Sequence, residues 1–262
     1  MNELKKIAVI TGASSGMGRE FASIIDRSMK NIDEIWLIAR RRDRLEELQG
    51  ELNTACIIID EDVNTNEFEN KYKKILSQEK PGVKMLINCA GYGLVGTAGT
   101  HGVEVETGVV ETNCVALTKV TLLTLPYMAK NGRIINLASS AAFFPQPRFA
   151  IYAASKSYVL SFSRALNSEL RNKNIYVTAV CPGPVNTEFF NIAENGVERA
   201  WYKDLFMSRA KDVVRQALKD SVQKKEVSVY GTSMKLLMFA SKVVPHSVAL
   251  GVLKVLNGKE RK

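Results

Sequence analysis

Tyr152 and Lys156 stand four residues apart in the stretch Tyr152-Ala153-Ala154-Ser155-Lys156, a spacing that puts both side chains on one face of a helix. An ammonium so placed stabilises a phenolate. The phenol can then trade a proton with a carbonyl or alcohol oxygen near neutral pH. Ser139, thirteen residues earlier, offers a hydroxyl for the same oxygen. Far upstream lies Thr11-Gly12-Ala13-Ser14-Ser15-Gly16-Met17-Gly18, which follows an apolar run and opens a helical-period segment. Gly12 lets the chain turn sharply, while Gly16 and Gly18 let backbone amides and a helix N-terminus approach a pyrophosphate. Ser14, Ser15 and Met17 complete the residues expected to border it. A tuned acid, a cation, a hydroxyl and a dinucleotide turn make the layout of a redox enzyme.

These groups need a scaffold, and the hydropathy pattern supplies one. Apolar runs at residues 7–10, 35–38, 56–59, 84–87, 133–137 and 176–180 alternate with helical-period segments. The helices are expected near 17–29, from Asp43, over 66–76, over 104–128 and over 151–171. Strands apolar on both faces and separated by helices mean a parallel sheet covered on both sides. The fold class is therefore α/β, a doubly wound Rossmann-type sheet, with its site at the carboxyl ends of the strands. With no repeat, low-complexity tract or linker, residues 1–262 read as a single domain. Two segments break the rhythm. Residues 188–210 are long, irregular and aromatic (Phe189, Phe190, Trp201, Tyr202, Phe206), a candidate substrate lid. Residues 233–257 are apolar but interrupted by Lys235, Lys242, Pro245, His246 and Lys254. They read as a core helix pair or dimer contact ahead of a membrane-surface patch.

Composition narrows the partners. Hydrophobic residues make up 46% and charged residues 24%, ordinary for a globular chain. The formal charge of +9 comes from dispersed lysines and arginines without interleaved aromatics, so nucleic acid is not an expected partner. An anionic cofactor or a membrane surface accounts for the excess as well. Cys56, Cys89, Cys114 and Cys181 are scattered in apolar segments with no C-x-x-C pair, which suits reduced thiols and a cytoplasmic location. His101 and His246 are far apart, so no metal is expected. Met1–Lys6 runs straight into the first strand, and no signal peptide is expected. No run reaches the eighteen or so uncharged apolar residues of a membrane span.

The end of the second strand selects the cofactor. An NAD site places an acid there for the ribose 2′-hydroxyl, whereas an NADP site uses arginine for the 2′-phosphate. This strand ends Ile38-Ala39-Arg40-Arg41-Arg42, with no acid before Asp43. NADP is therefore expected, held by Arg40 first and by Arg41.

With these residues in place, the chain resembles the short-chain dehydrogenase/reductase family over about residues 5 to 190. The matching elements are the glycine turn, Asp62-Val63, Asn88-Cys89-Ala90-Gly91, Asn113, Ser139, Tyr152 with Lys156, and Pro182-Gly183 with Thr187. Tyr-x-x-x-Lys alone is an ordinary helix-surface pair, and a lone Ser or Asn is ordinarily a cap or turn. Their order and their placement on the right elements make the likeness specific. The family's Asn-Asn-Ala-Gly reads Asn-Cys-Ala-Gly here, a small change. Counting along the strand from Gly132 and back from Tyr152 makes Ser139 the family's serine. Ser140 is left as a turn residue that at most touches substrate.

The resemblance implies roles. Tyr152 donates a proton in carbonyl reduction and accepts one in alcohol oxidation, Lys156 lowers its pKa and holds the nicotinamide ribose, Ser139 binds the reacting oxygen, and Asn113 supports a water relay. Asp62 and Val63 would frame the adenine, and Asn88, Ala90 and Gly91 the adenine ribose side. Pro182, Gly183, Val185 and Thr187 would frame the nicotinamide. The family likeness also implies a homodimer or homotetramer built on the two long helices.

For substrate, Phe189, Phe190 and Tyr202, with Trp201, Phe206, Met207, Phe143 and Phe144, predict an apolar pocket for a bulky ketone or secondary alcohol. A hydroxysteroid or bile acid fits, and so does an acyl chain; Arg148 or Arg199 would suit a carboxylated one. A 3-ketoacyl or other small-carbonyl reductase is the alternative enzyme. A non-catalytic dinucleotide sensor is the alternative of another class, opposed by the intact set Asn113, Ser139, Tyr152 and Lys156.

Overall fold

The computed structural model describes residues 4–189, 193 and 207–258. Seven parallel strands form its central sheet, and their burial follows directly from the apolar runs. β1 (Lys6–Thr11) and β2 (Glu34–Ile38) are buried on both faces. β3 (Ala55–Ile59) is half-buried at the edge. β4 (Gly82–Asn88), β5 (Met128–Leu137) and β6 (Tyr176–Val180) continue the sheet on the other side. Two short strands, β7 (Val185–Asn186) and β8 (Ser208–Arg209), pair in parallel apart from it. β9 (Val227–Ser228) closes the far edge, giving the order β3-β2-β1-β4-β5-β6-β9. Sequence patterning missed β9, because two residues carry no period.

Alternate residues of each strand feed two cores. Ala8, Ile10, Ile35 and Leu37 pack with α1 (Gly16–Ser28), α2 (Arg42–Glu51) and α7 (Ala210–Val222) on one face. Ile7, Val9, Trp36 and Ile38 pack with α3 (Asn66–Glu79) and α6 (Ala150–Leu170) on the other. Thr65 caps α3 by accepting the Phe68 amide at 3.1 Å. Phe68, Tyr72 and Leu76 then recur every fourth residue against the sheet.

The helix expected over 104–128 is in three parts. α4 (Val103–Val110) and α5 (Leu117–Thr124) are joined by a π-helical turn, Glu111–Ala116, that carries Asn113. A 3-10 turn with Pro126 then ends the helix at Tyr127, and β5 begins at Met128, five residues before the expected start. By length and composition Val103–Tyr127 would suffice to cross a bilayer, but half of its apolar window is buried within this fold, as in a core helix. The C-terminal apolar segment forms two helices, α8 (Thr232–Ala240) and α9 (His246–Gly258), broken around Pro245.

The strand order creates the site. From β1 the chain moves to β2 and β3 on one side, while β4 enters on the other, so the connections at the carboxyl ends of β1 and β4 part there. Thr11 ties that gap together. Its buried hydroxyl accepts both the Cys89 and Ala90 amides at 3.1 Å. Thr11→Val keeps the shape and strands those two donors, so it should lower the unfolding free energy by about 1–3 kcal/mol. Thr11→Ser should stay close to wild type, with urea denaturation as the measurement.

Candidate active site

A cavity of about 1300 Å³ opens at the parting of β1 and β4. That exceeds the roughly 300–1,000 Å³ of a usual small-molecule pocket, room for a dinucleotide and a substrate together. Gly12 adopts φ +68°, and a Cβ there would lie 2.8 Å from the Ala90 nitrogen. Only glycine makes this turn. Ser15 occupies the N-cap of α1 without a side-chain cap bond, and the first turn carries no acid. The amides of Gly16, Met17 and Gly18, which line the cavity with Ser14 and Ser15, thus form a positive helix end without its own counter-charge. This cradle fits a pyrophosphate.

At the adenosine end, Arg40 and Arg41 both line the cavity with Asp62 and Val63. Arg41 is the better seated. Its Nε and Nη2 donate to Ser14 Oγ at 3.3 and 3.2 Å. Arg40, expected first, is largely exposed, its Nη1 3.6 Å from Asp62 Oδ2. Sequence reasoning missed Glu188. Its Oε2 pairs with Arg41 Nη1 at 3.0 Å and its Oε1 with Arg44 Nη1 at 2.9 Å. Arg41 foremost, with Arg44, holds this carboxyl below the usual glutamate range. The only sequence hint was its position, just after Thr187, which stands over Gly16.

Ala90, Gly91, Pro182, Gly183, Val185 and Thr187 also line the cavity. Asn88 does not, contrary to its expected place beside the ribose. It is buried at the end of β4, where Nδ2 donates to Thr121 Oγ1 at 3.0 Å and Asn136 Oδ1 at 2.8 Å. Asn88 still belongs to the strand and faces the sheet-and-helix core, while Ala90 and Gly91 lie past the strand's end and reach the cavity.

The catalytic candidates converge. Ser139 follows β5 and caps a short 3-10 turn, Ser140–Phe143, accepting the Ala141 amide at 3.1 Å. Tyr152 and Lys156 lie one turn apart on α6, both buried, with the ammonium 5.6 Å from the phenol ring centroid. Phe149 and Phe189 flank Tyr152, ring centroids 4.3 and 5.3 Å away. Burial, partly offset by hydrogen bonding with Ser139, pushes the Tyr152 phenol up to about 12. Lys156 Nζ donates to the Leu137 carbonyl at 2.7 Å. Burial draws Lys156 down to about 8. At neutral pH the phenol is therefore protonated and the ammonium largely charged.

Asn113 is fully buried beneath this group. Its Oδ1 accepts the Tyr92 amide at 3.0 Å, while Nδ2 donates to the Tyr92 carbonyl and Ser155 Oγ, each at 2.9 Å. Ser155 Oγ donates in turn to the Tyr152 carbonyl at 2.8 Å. The side chain thus locks the Gly91–Tyr92 loop to α6.

Ser140, Phe144, Arg148 and Phe189 line the cavity, as do Met234, Leu237 and Ala240 of α8. Phe143 turns away into a core with Leu117, Val159 and Ala179. Phe190, Arg199, Trp201, Tyr202 and Phe206, and most of the expected lid, lie outside the described residues. The α8 wall was not foreseen, since an apolar helix face reads the same whether it packs on a core or on a cavity.

The sequence profile of the short chain dehydrogenases matches residues 6–196. Serine 3-dehydrogenase from Agrobacterium fabrum is 30% identical over 84% of this chain and 90% of its own. The NADP-dependent 3-hydroxy acid dehydrogenase from Shigella flexneri is 32% identical over 72% of this chain and 77% of its own. A short-chain dehydrogenase from Sphingobium yanoikuyae in complex with NADPH superposes with a TM-score of 0.77 at 25% identity, covering 96% of each chain.

The buried ammonium has a thermodynamic signature. Lys156 titrates near 8 in the fold against an ordinary 10.5. Its charge therefore weighs against folding in full below pH 8, and the penalty fades between 8 and 10.5 as the native state sheds its proton first. Lys156→Met should be more stable than wild type at pH 7, with the advantage shrinking as pH rises toward 10.5. Urea denaturation of both proteins across that range checks it.

Proposed function

The chain belongs to the short-chain dehydrogenase family, and on that premise we propose that it uses NADP(H) to interconvert a bulky apolar ketone and its secondary alcohol. One observation carries the reading. A protonated, buried Tyr152, with Ser139 and Lys156 beside it, sits in a cavity walled by Phe144, Phe149, Phe189, Met234 and Leu237. A hydroxysteroid or bile-acid polycycle suits such walls, because each apolar contact there replaces water. Gly12, Gly16 and Gly18 would hold the pyrophosphate of NADPH, Arg40 and Arg41 would hold its 2′-phosphate, and the bound cofactor would supply the hydride.

The protein's own share is geometry and a proton. Ser139 Oγ and Tyr152 Oη hold the substrate oxygen between them. As negative charge builds on that oxygen, Tyr152 Oη–H gives up its proton to it, and the alcohol forms. The Lys156 ammonium stabilises the phenolate left behind, the more strongly because the site is buried. Leu137 O fixes the ammonium, and Asn113 fixes the helix that carries both residues. In oxidation the proton runs the other way. Because the free phenol is already protonated, reduction needs no prior ionisation. The four free cysteines accord with a cytoplasmic enzyme. The exposed Val103, Val110, Val115, Leu122 and Tyr158 along α4–α6 suit assembly into a dimer or tetramer.

A second reading is reduction of a 3-oxoacyl or other small carbonyl substrate. Arg148 on the cavity wall favours it, as do two relatives named for a 3-hydroxy acid and for serine. A panel assayed with NADPH separates the two: turnover confined to carboxylated short-chain ketones would overturn the apolar reading.

Tyr152→Phe should lower turnover by about 10²–10⁴-fold while leaving the fold and NADPH affinity unchanged. Near-normal turnover would sink the proton-donor role. Arg40→Ala with Arg41→Ala should weaken NADPH binding at least about tenfold, from lost charge-assisted hydrogen bonds, and leave NADH nearly untouched. Titration calorimetry of both cofactors decides it. Equal losses for the two would mean the arginines do not read the phosphate.

A further inference from the structure

Glu188 brings a carboxylate to the end of the cavity where Arg40 and Arg41 would hold a phosphate, and it lines that end together with them and with Ser14. Its two oxygens are divided between two guanidiniums. Oε2 pairs with Arg41 Nη1 at 3.0 Å, and Oε1 with Arg44 Nη1, on α2, at 2.9 Å. Arg41 also donates from Nε and Nη2 to Ser14 Oγ, at 3.3 and 3.2 Å. The better seated of the two arginines that follow β2 thus already carries an anion, supplied by the protein itself. Arg41 foremost keeps that carboxyl below the usual glutamate range, so it is charged at neutral pH.

The backbone around Glu188 is held on both sides. Thr187 stands against Gly16 of the glycine turn, and Phe189 packs on the Tyr152 ring with centroids 5.3 Å apart. The fold therefore presents this carboxylate to Arg41 at a local concentration that dilution does not lower. The grip is weak all the same. The side chains of Arg41 and Glu188 are 42% and 37% exposed, and an ion pair so open to water is readily exchanged. A 2′-phosphate brings about −1.5 to −2 of charge and three acceptor oxygens, against one charge and two oxygens for the carboxylate. Both anions on one guanidinium would repel each other. The phosphate takes Arg41, and Glu188 keeps Arg44. A dinucleotide without that phosphate leaves the pair intact.

We propose that Glu188 is a specificity-determining residue whose carboxylate competes with the cofactor 2′-phosphate for Arg41. The protein then separates NADPH from NADH less sharply than its arginines alone would. This competition rests on Arg41 being a phosphate ligand, as proposed above.

The test is titration calorimetry of the full chain and of Glu188→Gln with NADPH, NADH, 2′,5′-ADP and 5′-AMP. The last two differ only in the 2′-phosphate. Glutamine keeps the shape of the side chain and removes its charge. Glu188→Gln should bind NADPH and 2′,5′-ADP about three- to fivefold more tightly, the scale of an exposed ion pair, with NADH and 5′-AMP within about twofold. In an Arg41→Ala background the same substitution should gain nothing, because the contested guanidinium is gone. A full gain without Arg41 would mean general charge repulsion, and it overturns the competition. Unchanged NADPH affinity in Glu188→Gln, while Arg41→Ala still costs NADPH more than NADH, overturns it and spares the cofactor reading. Weaker binding of NADH and 5′-AMP would make Glu188 a ribose ligand, which overturns it as well. If Arg41→Ala costs both cofactors equally, the phosphate reading of Arg41 falls and takes the competition with it.

Discussion

Two neighbouring parallel strands, β1 and β4, send the chain to opposite sides of the sheet, and the rest of the site depends on how that parting is held. Left alone, it would expose strand-end amides and drift apart. The Thr11 hydroxyl holds it by accepting two amides from the β4 exit at once, and Gly12 lets the backbones approach where a Cβ would collide with Ala90. The seam aligns the positive end of α1 with Ala90 and Gly91 on the cavity lining. The cradle for an anionic dinucleotide is therefore a consequence of strand order, made rigid by one hydroxyl and one missing side chain.

Burial does the electrostatic work beside it. Lys156 and Tyr152 are both removed from water, and burial penalises the charged form of each. The phenol rises to about 12 and the ammonium falls to about 8, which keeps one protonated and the other largely charged near neutrality. One backbone carbonyl, Leu137 O, compensates the ammonium. At the other end of the cavity the balance is reversed, with solvent-accessible arginines and the carboxylate of Glu188 across from Arg41. Because Phe189 follows Glu188 and packs on Tyr152, an ion pair at the adenosine end adjoins a ring contact at the reacting end. The family relationship accounts for the shared machinery. The apolar α8–α9 wall of the cavity lies beyond the matched region.

Much of this was written in local pattern. A glycine turn between an apolar strand and a helix has few other uses, and Tyr152 and Lys156 need only α-helical geometry to share a face. The six long strands followed from runs apolar on both faces, because a strand buried on both sides has no polar alternative. Arg40 and Arg41 at the end of β2 were legible for the same reason: nothing but strand length sets where they emerge. The residues that local pattern placed wrongly depended on partners far along the chain. Asn88 is the last residue of β4 and is claimed by Thr121 and Asn136, whereas Ala90 lies beyond the strand's end. The π-turn at Asn113 and the two-residue β9 carry no periodicity to read.

By itself, then, the sequence determined the class of chemistry, the doubly wound sheet and the order of the parts, because each is signalled by the types and spacing of residues a few positions apart. Only the tertiary structure decided that Ser139 hydrogen-bonds the phenol, that Glu188 faces Arg41 across 147 positions, and that α8 walls the cavity. Those outcomes are set by distances and burial between distant segments, which hydropathy and spacing along the chain do not encode.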